Sequence, residues 1–240
     1  MKITQATIFP LSIPLIEPIK MAKELIVDAK TVLLCLIDDE GRQGWGEASV
    51  APLMTGETLD SLLASVKYLV EKARAINWND PALFSKSCDA ILYGNPSAKS
   101  CLEMALLDLY TQKKSISLWK YLRSLNGDID ASDPTEIPLL RMLGGTLEKE
   151  MADAKSFREA GFKHWKIKTG SLSLEEDLHR VEVLSGLLEG DVISVDANGA
   201  MSLENAIRFC GSPQASKLSF AEQLINADSA LADFATLKQR

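Results

Sequence analysis

The chain has 240 residues, of which 46% are hydrophobic and 25% charged, a composition typical of a globular protein with one large or two smaller domains. Its net charge of −7, without a dense Lys/Arg cluster, argues against a nucleic-acid surface, and no apolar run approaches the roughly 18 residues of a membrane span. The amino terminus lacks a signal-peptide pattern and the four cysteines form no CxxC pair, so we expect a cytoplasmic protein with buried thiols rather than disulfides or zinc.

The first fifty residues are predicted to form a small antiparallel sheet. Residues 2–15 and 31–37 are rich in β-branched and apolar residues, and the turn Asp38-Asp39-Glu40-Gly41 follows the second run. A turn of this length suits a hairpin, whose second strand would extend to Ala48.

Four helices are predicted to follow the sheet. From Thr58 the apolar residues recur at helical spacing, and they are Leu59, Leu62, Leu63, Val66, Leu69 and Val70. Asp80-Pro81 and Asn95-Pro96 are typical of a helix start, with a capping side chain before a first-turn proline. The run SLWKYLRSL predicts a short fourth helix.

A polar, turn-rich segment from Asn126 to Pro134 is predicted to separate two domains, 1–130 and 135–240. In the second, strand and helix patterns alternate four times, which is typical of a parallel sheet. The strand runs are IPLLRML, HWKIKT, VISVDA and LSFAEQL, and their helices are expected to begin near Thr146, at the capping box Ser173–Glu176, at Ser202 and near Asp228.

The fourth strand–helix unit runs to Arg240. A sheet of four parallel strands has a long unpaired edge, which natural folds usually cover or close. A further strand would lie roughly 25 residues beyond Glu222, the length of one strand–helix unit. We therefore expect the sequence to be the front part of a longer protein.

Two lysines, Lys166 and Lys168, lie two residues apart in the second strand of this series. At that spacing they point to the same side of the strand, and the alternating Trp165 and Ile167 form the better pair for packing. Two adjacent ammonium groups favour loss of a proton from one of them, which would make a lysine available as a base near neutral pH. The alternative is a solvated strand end without a chemical role.

Oxygen-bearing side chains end the next two strands. Asp196 follows Lys168 by 28 residues and Glu222 follows Asp196 by 26, so these groups are expected at the same edge of the sheet. Asn198 would share a face with Asp196. Hard oxygen ligands without nearby His or Cys suit Mg²⁺ better than zinc. Alternatively, the segment from Asp196 to Gly199 is simply a polar turn that ends a strand.

Taken together, these segments resemble the enolase superfamily, in particular the muconate cycloisomerase-like subgroup of the mandelate racemase and muconate lactonizing enzymes. The matching segments are GWGEA (44–48), MTGET (54–58), YGNPSAKSCLEMALLDL (93–109), GFKHWKIKTG (161–170), SVDANGA (194–200) and FAEQL (220–224). They extend over essentially the whole chain. The lysine pair, the Asp-x-Asn strand and the Glu strand, in that order and spacing, are more specific than any one motif.

The resemblance implies an α+β capping domain followed by a (β/α) TIM-type barrel, of which this chain holds about the first four βα units. It also implies that Lys168 is the base that moves the proton α to a carboxylate, and that Lys166 is the neighbour that tunes it. Asp196 and Glu222 are implied as Mg²⁺ ligands, with Asn198 beside them. Mg²⁺ would stabilise the enediolate formed when the proton leaves.

The resemblance further implies that loops of the capping domain contact the substrate. The candidate loops are residues 19–24 and 52–57, with Met54 and Thr55 as candidate contacts. The expected partners are a small-molecule carboxylate substrate and, for the full-length protein, further copies of the same chain. Neither a nucleic acid nor a membrane is expected.

The sequence departs from the family pattern in three respects. A third acidic ligand and a second lysine, expected on later strands, lie beyond its end, and Leu224 stands where the family often has proline. With two carboxylates Mg²⁺ would be held weakly, and two-base racemisation could not proceed.

We therefore expect a Mg²⁺-dependent isomerase or lyase that acts by epimerisation, cycloisomerisation or β-elimination, and whose 240 residues alone are inactive or nearly so. Two other hypotheses stay open. One is an aldolase in which Lys168 forms a Schiff base with a carbonyl substrate. The other is a barrel fragment without catalytic activity.

Overall fold

A computed structural model describes residues 1–21, 24–127 and 136–239. The chain divides into two compact units, Met1–Ser132 and Asp133–Arg240. The predicted boundary, Asn126 to Pro134, lies outside the described residues from position 128 onward. Within the described part of the chain, no helix is long and apolar enough to cross a membrane.

The first unit contains the predicted antiparallel sheet, which is confirmed. Its strands are β1 (Ile3–Met21), β2 (Glu24–Asp38) and β3 (Gln43–Ser49), in the order β1-β2-β3. The turn between β2 and β3 is held by the side chain of Asp38, which accepts hydrogen bonds from the amides of Glu40 and Arg42, both at 2.9 Å.

The first two strands are longer than predicted. Of residues 19–24, expected as a loop, the described residues 19–21 and 24 continue the ladder, with Ile19 paired with Ile26 and Met21 paired with Glu24. Residues 22 and 23 lie outside the described part of the chain. The prolines of β1, Pro10, Pro14 and Pro18, precede this extension, and proline is tolerated in an edge strand because the outer side needs no ladder hydrogen bonds.

Five α-helices are described in the first unit. They are α1 (Pro52–Thr55), α2 (Leu59–Ala73), α3 (Phe84–Ile91), α4 (Pro96–Lys113) and α5 (Leu118–Leu125), and a 3-10 turn at Pro81–Leu83 precedes α3. The four predicted helices are confirmed. The short α1 was not predicted, and it lies in the segment 52–57 that was expected to be a loop.

The core of the first unit forms where α4 packs on the sheet. A Cβ added at Gly46 of β3 would lie 1.9 Å from the carbonyl oxygen of Cys101, and one added at Gly44 would lie 2.3 Å from that of Ala105. Glycine is therefore required at both positions for the backbones to approach. The largest fully buried side chains here are Trp78, Phe84, Leu34, Leu36, Leu62, Leu69, Leu102, Leu106 and Leu109.

A buried carboxylate, rather than the predicted Asn95 side chain, caps the start of α4. Asn95 has a left-handed φ of 52° and makes no capping hydrogen bond from its side chain. Instead Glu57 accepts hydrogen bonds from the amides of Ser97 (3.0 Å) and Ala98 (3.2 Å). Burial acts to raise the pKa of Glu57, but hydrogen bonds from Ser97 and Ala98 outweigh it and hold the pKa below its usual value. The negative charge also suits the positive end of the helix dipole.

The second unit is a parallel sheet with its helices, as predicted. The strands β4 (Leu140–Leu143), β5 (His164–Lys168), β6 (Val192–Asp196) and β7 (Phe220–Glu222) are hydrogen-bonded in that order. They alternate with α6 (Leu147–Glu159), α7 (Leu174–Leu187), α8 (Leu203–Cys210) and α9 (Leu231–Lys238). The described residues of this unit therefore form four βα units.

Three of the four predicted helix starts in this unit are confirmed. Thr146, Ser173 and Ser202 each cap a helix with the side-chain oxygen, and Ser173 forms the predicted capping box with Glu176. The expectation that the last helix begins near Asp228 was wrong, since α9 begins at Leu231. The side chain of Asn226 accepts a hydrogen bond from the Asp228 amide (2.9 Å), and this local turn competes with helix formation.

We expect Glu57→Gln to destabilise the first unit by about 1 kcal/mol at neutral pH, because glutamine is neutral and offers one acceptor where the carboxylate offers two. Since the folded-state pKa of Glu57 is lowered, its stabilisation is present above the unfolded-state pKa and is lost as pH falls through the folded-state value. The difference in free energy of unfolding between parent and variant, measured by urea denaturation, should therefore shrink as the pH is lowered.

Glu71→Gln, at an exposed position of α2, serves as the matched control and should change the free energy of unfolding little at any pH. If the difference in free energy of unfolding between parent and Glu57→Gln instead grows at acid pH, Glu57 is not a charged cap.

Candidate functional site

The parallel register of β5, β6 and β7 places polar side chains side by side at the carboxyl edge of the sheet. Lys168 is paired with Asp196, and Asp196 with Glu222, across the three strands. On β5 the alternating Trp165 and Ile167 are fully buried in the core. Lys166 and Lys168 therefore lie together on the other face.

Ion pairs join the two lysines to the two carboxylates. The Nζ of Lys166 lies 2.5 Å from Oε2 of Glu222 and 3.9 Å from Oδ2 of Asp196. The Nζ of Lys168 lies 2.6 Å from the same Asp196 oxygen and 2.6 Å from Oδ1 of Asn198. The structure thus brings together all five side chains that the sequence singled out in this unit, and their roles stay predictions.

Asp196 is the most buried member of this cluster, with 3% of its surface exposed. Burial acts to raise its pKa, but hydrogen bonds from the Lys168 ammonium and the Asn198 amide, together with the positive charges of Lys168 and Lys166, hold the pKa below its usual value. The carboxylate is therefore kept in the charged form that a cation or a proton-transfer site requires.

The loops that follow β6 and β7 are tied to each other by backbone hydrogen bonds. Amides of the first loop donate to carbonyls of the second in three pairs, which are Ala197 to Glu222 (3.2 Å), Gly199 to Gln223 (2.6 Å) and Met201 to Leu224 (3.0 Å). Asn198 and Gln223 adopt left-handed φ angles of 46° and 42°. Such backbone is costly for residues other than glycine, and the paired loops hold it in place. Leu224, where the family often has proline, is buried in the core.

The donor set of this cluster fits a hard divalent cation. Both carboxylates face a single cationic atom, the Lys166 Nζ, at distances of 2.5 and 3.9 Å, so a cation between them would meet negative charge from both. The ligands are oxygens only, as Mg²⁺ prefers. Two carboxylates are few, and the described part of the chain has no group of three or more His, Cys, Asp or Glu residues that could hold a metal.

The candidate contacts Met54 and Thr55 belong to the first unit. They lie at the end of α1, where 72% of Met54 is exposed and the Thr55 hydroxyl donates to the Ala51 carbonyl at 3.3 Å. Their predicted role in substrate binding stays a prediction.

One residue next to the cluster was missed by the sequence reasoning. Asp177, in the first turn of α7, accepts a hydrogen bond at 2.6 Å from the amide of Gly170, two residues beyond Lys168. Acidic residues are common in the first turn of a helix because they favour its dipole. Only the burial of this side chain, which the sequence does not show, sets it apart from its neighbours.

The sequence and the fold of this chain are similar to those of known proteins. Residues 3–122 match the mandelate racemase/muconate lactonizing enzyme N-terminal domain, and residues 149–240 match the enolase C-terminal domain-like family. The chain is 27% identical over 218 residues to an L-Ala-D/L-Glu epimerase of Bacillus subtilis, covering 86% of this chain and 55% of that protein. It is 28% identical over 211 residues to an o-succinylbenzoate synthase of the same organism, covering 86% and 54%.

A solved structure with the same fold is that of a dipeptide epimerase from Cytophaga hutchinsonii complexed with Mg and the dipeptide D-Ala-L-Val. It has a TM-score of 0.82 and 26% identity, covering 94% of this chain and 60% of that one. The likeness confirms the predicted fold class, a capping domain followed by a TIM-type barrel domain with its first four βα units. The chain spans about half the length of the curated relatives it matches. It belongs to the mandelate racemase/muconate lactonizing enzyme family of the enolase superfamily.

Proposed function

We propose that the cluster at the carboxyl edge of β5, β6 and β7 removes or returns the proton α to a carboxylate, with the help of a divalent cation. The observation that carries this proposal is the geometry of the two lysines and two carboxylates. One lysine lies between both carboxylates, and the other lies against the more buried of them. Amine bases and cation ligands are therefore within one side-chain length of each other.

In this proposal Lys168 is the base. Its Nζ is anchored between Asp196 and Asn198, so the neutral amine, formed once this group gives up a proton, would have a defined position from which to take the α-proton of a substrate. Lys166 adds a positive charge next to it, which attracts an anionic substrate. Asn198 limits the rotation of the Lys168 side chain.

Asp196 and Glu222 are the proposed ligands of Mg²⁺. Bound there, the ion would supply positive charge close to the substrate carboxylate, where negative charge grows as the α-proton leaves. The two carboxylates would hold the ion, and the two lysines would remain for the substrate.

Among the reactions of this class, we propose epimerisation first and cycloisomerisation or β-elimination after it, because two of the three relatives named above are epimerases and the third is a synthase. A dipeptide or a related carboxylate is the proposed substrate. A homo-oligomeric state for the whole protein and a cytoplasmic location stay predictions. The 240 residues alone are proposed to be inactive or nearly so, because two carboxylates would hold the ion weakly and both lysines in the cluster lie on one strand.

The cation site can be tested with Mn²⁺ in place of Mg²⁺. We expect weak binding at one site, with affinity lowered about tenfold or more by Asp196→Asn because a charged ligand is lost. Titration calorimetry measures the affinity. Asp191→Asn is the matched control, because Asp191 is equally buried in the same unit but bonds Trp165 and Arg158 instead. Equal affinity in parent and Asp196→Asn would contradict the proposed ligand.

Proton abstraction can be followed as exchange of the α-proton of L-Ala-L-Glu with D₂O, by ¹H NMR. We expect slow exchange that requires Mg²⁺ and is lost in Lys168→Met, with no net epimerisation by this chain. Lys163→Met, which removes an exposed lysine bonded to Asp191, should leave the exchange unchanged. Exchange that persists in Lys168→Met, or that is lost equally in Lys163→Met, would contradict the role of Lys168, and trapping of a carbonyl substrate by borohydride would favour the Schiff-base aldolase.

The paired loops should matter for both stability and metal binding. A Cβ at Gly199, where φ is 75°, would lie 3.1 Å from Cα of Asn226, whereas one at Gly190, where φ is 86°, meets nothing within 4 Å. Both alanine variants keep a left-handed residue, at a cost of about 1 kcal/mol, and Gly199→Ala should cost about 1–3 kcal/mol more in urea denaturation. Only Gly199→Ala should also weaken Mn²⁺ binding. Equal losses of stability would show that the loops are not tightly packed.

A further inference from the structure

A buried ionic chain links two helices of the second unit to the loop that follows β5. Arg180 on α7 donates from Nε to Oε2 of Glu150 on α6 at 3.0 Å, and a second bond joins Nη2 to Oε1 of the same carboxylate. Its Nη1 donates to Oδ1 of Asp177 at 2.9 Å. The exposed fractions are 0% for Glu150, 1% for Asp177 and 6% for Arg180.

The chain ends on the backbone next to Lys168. The second oxygen of Asp177, Oδ2, accepts the hydrogen bond from the Gly170 amide at 2.6 Å. Between these two residues, the amide of Thr169 donates to the carbonyl of Asp196 at 3.0 Å. After Lys168, Thr169 is thus bonded to β6 and Gly170 to α7.

Close packing limits the remaining freedom of this segment. Gly170 has a left-handed φ of 85°, and a Cβ added there would lie 3.0 Å from Cβ of Ala200 and 3.2 Å from that of Ala197. The loop after β5 therefore rests against the loop after β6, and it is pulled toward α7 by Asp177. Contact on one side and a charged hydrogen bond on the other define one position for the backbone.

A buried ion pair is a poor way to gain stability, because removing the charges from water costs about as much as their attraction returns. Apolar side chains between α6 and α7 would stabilise the unit at least as much as this ion pair does. Apolar side chains, however, cannot accept a hydrogen bond from the Gly170 amide. A carboxylate that is held in a fixed orientation can. The arrangement therefore favours a role in placing the backbone of Gly170.

We propose that Asp177, oriented by Arg180 and Glu150, is a positioning residue that fixes the end of β5 so that the Lys168 ammonium meets Asp196 and Asn198. The assignment of Lys168 as a base rests on the proposed function. The placement of its side chain by Asp177 does not, and it can be measured in the chain without any reaction.

The variant that tests this proposal is Asp177→Asn, which keeps the size of the side chain. Its single amide oxygen can accept from Gly170 or from Arg180 but not from both, and its NH₂ group faces the other donor. Asp191→Asn is again the matched control. Asp191 is a buried carboxylate that accepts bonds from Trp165 (3.0 Å) and an arginine at the opposite end of the same strands.

Two measurements report on the position of Lys168. One is the rate of acetylation by acetic anhydride, resolved for each lysine by mass spectrometry; the other is amide hydrogen exchange at Thr169 and Gly170. In Asp177→Asn we expect both to rise about tenfold at these residues, the factor that loss of one hydrogen bond to a charged group gives. Lys166 should react at its parental rate in this variant. In Asp191→Asn, Lys168 should react as in the parent.

Glu150→Gln is a milder second variant, which leaves the bond between Asp177 and Gly170 in place but loosens Arg180. It should raise the reactivity of Lys168 in the same direction by a smaller factor, and it carries the test if Asp177→Asn does not fold. Unchanged Lys168 reactivity in the folded Asp177 variant, or an equal rise in Asp191→Asn, would overturn the proposal and leave the ionic chain a purely structural feature.

The exchange of the L-Ala-L-Glu α-proton, measured on the same variants, separates this proposal from the proposed function. If Lys168 reactivity responds to Asp177→Asn while exchange of the proton persists in Lys168→Met, the positioning role holds and the proposed reaction fails. If the parent exchanges the proton and Asp177→Asn alters neither exchange nor Lys168 reactivity, the reaction holds and the positioning role fails.

Discussion

Mutual neutralisation of two ammonium groups and two carboxylates across three neighbouring strands is the interaction on which the rest of the site depends. Asp196 has only 3% of its surface exposed, so without partners its carboxylate would lose much of its hydration uncompensated. The two ammonium groups, at 2.6 and 3.9 Å, supply that compensation. Because the charges balance locally, the fold can place two lysines and two carboxylates at a sheet edge without exposing them fully to water.

The precision of this arrangement comes from the loops as much as from the strands. A strand sets which side chains share a face, but the loop after it sets where the last side chain points. Here three backbone hydrogen bonds tie the loops after β6 and β7, and the loop after β5 packs against the loop after β6 through Gly170. Sites supported by such a shell keep their geometry when a substrate or ion arrives.

Local sequence patterns predicted most elements, and two of their failures, the cap of α4 and the length of the first hairpin, share one cause. The helix at Thr58 and the capping box at Ser173 depend on residues within one turn, and both are confirmed. Glu57 caps α4 from about forty residues away, and the extension of the first hairpin depends on pairing between residues such as Ile19 and Ile26. Interactions between distant segments leave no periodic signature, so the sequence could not predict them.

By itself, the sequence determined the alternation of strands and helices and the chemical types of the five side chains in the cluster, because period-two alternation and the length of a βα unit dictate which residues end strands on one face. Only the tertiary structure decided that Lys166 bridges the two carboxylates while Lys168 pairs with Asp196 and Asn198. It also decided that the Asp177 carboxylate accepts a hydrogen bond from the Gly170 amide, two residues after Lys168. Ångström-scale distances and burial depend on how separate segments pack, and that information is spread over the whole unit rather than written in any one segment.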